Sequence, residues 1–225
     1  MVDTARDYRL GMALHAVAML ERRLRQWGLP WPVRRQEALA LVEEARKRLL
    51  RARYSFLPAE MLAESEEVRW VSQAASRLRE MLLPEQKPRL TPGQELAFAE
   101  IRWALLILYG LPARIRLGEE NRPEWAVDVV GVEVVRVEPL AGTRLMVTRA
   151  SAGAAAFTIV TNIQSIRPGE ARAAALLPPA EFSGVVSEAM YASGPIEARY
   201  VGRRVPSRLL SGEVAAAVRR IVEGR

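Results

Sequence analysis

An α+β chain in two parts is the fold class that the 225-residue sequence predicts: an N-terminal helical bundle, then a C-terminal β-barrel with a terminal helix. Three observations predict it. Up to Gly110, apolar residues recur at spacings of three and four, the period of amphipathic helices. Beyond about residue 126 the chain breaks into short, Val-rich runs separated by turns, the pattern of a small antiparallel barrel. Helix signals return only at the end, from Ser211.

The first helix is expected from Asp3 to Trp27, with Leu10, Leu14, Val17, Leu20, Leu24 and Trp27 on one stripe. Gly28, Pro30 and Pro32 stop it. A second, roughly Val33 to Phe56, turns Val42, Ala45, Leu49, Ala52 and Phe56 inward. Pro58 opens a third at its first turn, carrying Met61, Val68, Val71, Ala75, Leu78 and Leu82. Thr91-Pro92-Gly93-Gln94 has the form of a capping box, and the fourth helix runs to Tyr109. Ala104 to Tyr109 has no polar face, which predicts a helix buried on most sides. The helical domain is read as residues 1–112 and a linker as 113–126.

The barrel domain is read as 127–225. Val127–Val137 is its first strand, followed by Leu145–Thr148 and Phe157–Thr161. Glu170–Leu177 is a fourth strand whose Ala run also fits a helix. Met190–Ala192 and Ile196–Tyr200 supply the last strands. In the closing helix Ser211 is the N-cap, Glu213 suits the first turn, and Arg219 and Arg220 suit the last.

Composition narrows the chemistry. There is no Cys, so disulfides, thiolate catalysis and thiolate metal sites are excluded. The single His, His15, sits in a helical pattern and reads as a helix-face residue, because acid–base and metal sites need several converging groups. No metal or cofactor is expected, and no enzyme. The N-terminus is too polar for a signal peptide and no apolar run is long enough to span a bilayer, so a soluble, cytoplasmic protein is expected. The net charge is +7, carried almost entirely by Arg, with Lys only at positions 47 and 87. Arg presents a planar fork of donors that suits phosphate, so a polyanion is the expected partner. Heat adaptation or genome composition would give the same balance. The densest basic run, Arg46, Lys47, Arg48, Arg51 and Arg53, reads either as a phosphate-facing patch or as a solvated face in which Glu43 pairs with Lys47 and Glu44 with Arg48.

Three stretches of the β half carry a resemblance. They are V-V-G-V-E-V-V-R-V-E (Val129–Glu138), then L-M-V-T (Leu145–Thr148) with T-I-V-T-N-I (Thr158–Ile163), and finally G-V-V-S-E-A-M (Gly184–Met190). In that order they resemble the tRNA-binding OB-fold domain of the EMAP II type, found in stand-alone tRNA-binding proteins and at the C-termini of methionyl-tRNA synthetases. The resemblance covers the last hundred residues. It implies an OB-fold barrel, and it places Ser187 and Met190 where the family's RNA-contacting Ser and Met stand; the family commonly has Gly where this chain has Ala189.

The function expected is therefore non-enzymatic binding of tRNA or another structured RNA. Ser187 and Met190 would be joined by Arg144, Arg149, Arg167 and Arg172 on the strand and loop side. Arg199, Arg203, Arg204 and Arg208 would track phosphates, with Arg46, Lys47, Arg51 and Arg53 adding contacts from the helices. The competing expectations are a protein-interaction module, docking to an aminoacyl-tRNA synthetase or forming a barrel homodimer, and a ribosome-associated protein. The terminal helix, with Val214, Val218 and Ile221 on one face, would serve such docking.

Overall fold

The computed structural model describes residues 3–224. Two compact units divide the chain: one runs to Val127 and includes the residues from Ala217 onward, and the other is Asp128–Ala216. The α+β class read from the sequence is the class observed.

In the helical unit, α1 (Tyr8–Arg25) packs on α2 (Arg35–Arg53) and α5 (Pro92–Tyr109), and α4 (Glu66–Leu82) also packs on α2 and α5. Leu10, Val17, Leu20 and Leu24 of α1 meet Val42, Ala45, Leu49 and Ala52 of α2 in a buried interior, as their periodicity requires. Asp7 caps α1, its side chain accepting from the Arg9 N–H at 2.8 Å. In the capping box of α5, Gln94 Oε1 accepts from the Thr91 N–H at 3.1 Å.

Three expectations need correcting here. Phe56 is not inward: α2 ends at Arg53, and Phe56 lies exposed at φ 54° with its N–H held by Thr4 Oγ1 at 3.1 Å. The third helix is two, α3 (Ala59–Glu64) and α4, because Ser65 leaves the helical backbone at ψ 151° and caps α4 by accepting from Val68 N–H. At the end of α5, Ala104, Leu105, Ile107 and Leu108 are buried as expected, while Leu106 and Tyr109 emerge. The segment read as a linker is built structure instead. It contains the end of α6 (Leu111–Ile115) and a 3-10 turn, Pro123–Ala126. Arg9 Nη1 donates to the Ile115 and Gly118 carbonyls at 2.9 and 2.8 Å, and Asn121 Oδ1 accepts from the Tyr8 N–H at 2.9 Å. A loop whose carbonyls are held by a buried guanidinium is part of the core.

The β unit is antiparallel. Its strands are β1 (Val129–Pro139), β2 (Met146–Ser151), β3 (Ala156–Thr161), β4 (Ala171–Ala175), β5 (Ala180–Phe182), β6 (Val185–Ser187) and β7 (Met190–Pro195). Five form one sheet in the order β3-β2-β1-β4-β7, and β5-β6 is a separate hairpin. The hairpin turns on Ser183 and Gly184, both at positive φ (47° and 82°), which is the two-residue turn whose twist suits paired strands. The two ends of the sheet order approach one another. The Glu188 N–H donates to the Thr158 carbonyl at 2.9 Å, and Ser187 Oγ accepts from the Val160 N–H at 3.0 Å. The sheet thus curls over a core of Val132, Val134, Ala150, Ile159, Ile166, Ala174, Ala189 and Tyr191. The Ala run is strand, not helix: every residue of β4 is buried between β1 and β7.

The strand expected over Ile196–Tyr200 is not formed. Pro195 closes the β4-β7 ladder, and Ala198–Tyr200 is a 3-10 turn. The chain then crosses β1 as a strap. Gly131 N–H donates to the Arg203 carbonyl and Gly202 N–H to the Gly131 carbonyl, each at 2.9 Å. At the far end, Ser211 precedes α7 (Gly212–Glu223), but its hydroxyl caps nothing; its N–H donates to the Ala192 carbonyl at 2.7 Å. Val214 and Val218 of α7 are buried within the chain, so the face expected to dock a partner is already covered.

Candidate nucleic-acid interface

Strand register decides which side chains share the outer surface of the β unit. Thr148 pairs with Val137 and Ile159, and its hydroxyl lies 2.8 Å from Tyr191 Oη inside the barrel. That row is interior. Side chains alternate along a strand, so the neighbouring row, Arg136-Arg149-Thr158, faces outward, as does Glu138-Val147-Val160. Arg149 Nη1 donates to Thr158 Oγ1 at 3.1 Å, and Arg136 pairs with Glu138. Two connections flank this face. The β1-β2 turn carries Arg144, whose side chain is exposed while its carbonyl accepts from Gln164. The β5-β6 hairpin lies beside β3 and presents the exposed ring of Phe182.

The structure brings only some of the expected residues to this face. Arg149 and Arg144 belong to it. Ser187 is corrected from a contact to a fastening: it is 6% exposed, donates to the Ala189 carbonyl at 2.9 Å and accepts from Val160 N–H at 3.0 Å. Its hydroxyl is spent on joining the hairpin to β3. Ser187→Ala is expected to cost about 1–2 kcal/mol by leaving the Val160 donor unpaired, which chemical denaturation checks. Met190 is half-buried on β7, opposite Ala175. Ala189 is buried in the barrel core, so a methyl group fills the position where the resembled family has Gly.

Arg172 is also corrected. It is 5% exposed, bonds Glu170 Oε2 at 2.8 Å and the Ser193 carbonyl at 3.2 Å, and lies over the Tyr191 ring. Arg167 is exposed but turns back on the Ile166 carbonyl at 3.2 Å. On and beside the strap, Arg199 pairs with Glu197 at 2.8 Å and Arg204 with Asp128 at 3.5 Å. Arg203 and Arg208 are exposed and make no ion pair among the described residues.

The helical patch is an ion-pair lattice. Arg46 pairs with Glu21, Lys47 with Glu43 at 2.9 Å, and Arg51 with Glu44 at 3.5 Å and Glu67 at 3.8 Å. Arg48 bridges Glu44 and Glu66 at 2.8 and 3.0 Å. Arg53 donates to the Ala5 carbonyl at 2.7 Å. Hydrogen bonds from Arg48 hold the Glu44 carboxyl below its ordinary pKa, and Glu43 holds the Lys47 ammonium above its own. These cations face carboxylates on their own unit, which is the solvated-face reading of the run. His15 packs edge-on to Trp103 at 6.0 Å, and burial, with Arg22 nearby, lowers its pKa.

Sequence reasoning missed Arg136 and Phe182. The signal for Arg136 was the doublet Val134-Val135, which breaks strict alternation just before it. For Phe182 it was the Phe-Ser-Gly-Val order of a two-residue hairpin.

Residues 1–118 match the family described as alpha helical domain, and the chain belongs to that family. No curated protein matches it. Among the described residues, no helix is long and apolar enough to cross a membrane.

Proposed function

We propose that this is a non-enzymatic RNA-binding protein whose β unit engages tRNA or another structured RNA in the cytoplasm. The observation that carries the reading is the outward row Arg136-Arg149-Thr158, set between the Arg144 turn and the Phe182 hairpin. Two further features support it. The strand order, with β1 between β2 and β4 and β3 tied to the segment before β7, is that of a partly open five-stranded Greek-key barrel, the OB design. In that design the strand 2–3 face and its flanking loops take oligonucleotides. Guanidinium groups for phosphates and an exposed aromatic ring for an unstacked base are the usual pair of devices for RNA. The stretches that resemble the tRNA-binding domain lie on these same strands.

The basis differs from the sequence expectation. Ser187 and Arg172 act inside the barrel, and the helical cations are balanced, so the affinity rests on the β face. Crosslinking in cells, followed by sequencing of the RNA that copurifies, tests the proposal. Enrichment of tRNA or ribosomal RNA, with crosslinked peptides from 136–160 and 180–187, is the expected result. Absence of RNA contradicts it.

A second reading has its own observation. The helical unit leaves Leu50, Tyr54, Phe56, Met61, Leu106 and Tyr109 exposed, large apolar side chains of the kinds that protein contacts use. A protein partner for that unit, such as a synthetase or a ribosomal protein, is compatible with RNA binding by the other. Stable copurification of one protein without RNA would make it the leading reading.

A further inference from the structure

We infer that Arg136 and Arg149 form a clamp for a single phosphate group, and that a β-bulge at Val135 exists to build it. The inference deepens the RNA-binding reading and rests on it. The register of β1 against β2 shifts between Val134, opposite Ala150, and Arg136, opposite Arg149. Val135 is the extra residue, and it is exposed. Without it, Val135 would stand opposite Arg149, and Arg136 would stand opposite Thr148, whose hydroxyl is buried against Tyr191. The bulge therefore does two things at once. It keeps Arg136 out of the core, and it sets Arg136 directly opposite Arg149 on the outer face of the strand pair. Re-aiming a side chain is a recurrent use of bulges beside functional sites.

Like charges directly opposite one another destabilise a sheet. A register that creates such a pair needs compensation, and the protein offers little. Glu138 pairs with Arg136, but both are largely exposed, so the pair is weak and displaceable. Arg149 makes no ion pair among the described residues; its guanidinium is steadied by Thr158 Oγ1 at 3.1 Å. The other carboxylate bordering the row is Glu188, which accepts from the Thr158 N–H at 3.0 Å. Glu138 and Glu188 border the clamp and disfavour a second phosphate beside the first. With Arg136 released from Glu138, two long side chains that start opposite one another are within reach of one tetrahedral anion, and such charge-assisted bonds are the strong ones. The source of the phosphate is either an RNA phosphodiester or free inorganic phosphate.

The unsubstituted protein and the variants Arg136→Gln, Arg149→Gln and the double variant separate these cases. Both positions are exposed, so thermal midpoints should be retained. Affinity for a fluorescent RNA hairpin is measured across a salt series. Each single variant should bind roughly tenfold more weakly. One phosphate held by both residues predicts that the double variant lowers the salt slope by the share of a single phosphate, about 0.7–0.9. A double variant that loses twice as much means two separate phosphates and overturns the clamp. RNA binding with an unchanged slope overturns it too, and leaves the RNA reading standing. If the unsubstituted protein binds no RNA, the RNA reading fails and a second arm decides the clamp. In that arm the Nε–Hε NMR signals of the two arginines are followed against inorganic phosphate. Joint saturable shifts support a site for free phosphate; silent signals overturn it.

Discussion

Replacing Gly131 with alanine is expected to unfold the β unit or to leave it lacking its strap. A Cβ at this position would lie 2.1 Å from the Tyr200 carbonyl oxygen, 2.5 Å from the carbon that bears it and 3.0 Å from the Val201 nitrogen. All three are main-chain atoms, so no rotamer change relieves the clash. The strap must move, and it is bound here through Gly131 N–H to Arg203 O, Gly202 N–H to Gly131 O and Val205 N–H to Val129 O, at 2.9, 2.9 and 3.0 Å. Overpacking costs about 1–3 kcal/mol and each lost hydrogen bond about 1 kcal/mol, so a loss of roughly 4–6 kcal/mol is expected. Amide hydrogen exchange in β1 reads it directly. Gly194→Ala is the control, because nothing lies within 4 Å of that Cβ and its φ is ordinary. Equal protection in both variants would contradict the account of the strap.

The second large effect belongs to the helical unit. Arg9 and Asp7 are 1% and 2% exposed and bonded at 2.6 Å through Nη2 and Oδ2. Arg9 also holds the Ile115 and Gly118 carbonyls, and so fastens the segment that follows α6 to the start of α1. Arg9→Ala strands a buried carboxylate and at least two carbonyls. Breaking a buried pair from one side typically costs about 3–5 kcal/mol, and that is the loss expected in urea denaturation. The double variant Asp7→Asn/Arg9→Met removes both charges, keeps an N-cap side chain at position 7, and should recover a large part of the loss. If the double variant is as damaged as the single, the uncompensated charge is not the cause.

The helices were legible because burial of one stripe is a local property of a 3.6-residue period. The α3-α4 break was missed because an interior Ser competes with the helix only when its hydroxyl finds the Leu62 carbonyl and the Val68 N–H, as Ser65 does here. The supposed linker illustrates the same limit. Gly118 and Asn121 look like loop residues and are loop residues, but nothing local says that Arg9, more than a hundred positions earlier, holds the Gly118 carbonyl, or that Asn121 Oδ1 accepts from the Tyr8 N–H. In the β half, the first three strands and the Ala-rich fourth stand close to where alternation put them. The site was harder. An arginine in a strand has the same signature whether it faces water or, like Arg172, is folded onto Glu170 and Tyr191. Only register tells Arg149 from Arg172, and the bulge that turns Arg136 to the same face shows in the sequence as nothing more than two adjacent valines.

Fluorescence anisotropy with a labelled tRNA, at two or three salt concentrations, tests the central claim most directly. It compares the unsubstituted protein, Arg144→Gln/Arg149→Gln, and Lys47→Gln/Arg51→Gln. Binding that weakens steeply with salt, falls about tenfold or more in the β-face variant and is unchanged in the helical variant is the predicted result. Binding lost through the helical residues and indifferent to Arg144 and Arg149 would place the interface elsewhere and contradict the account.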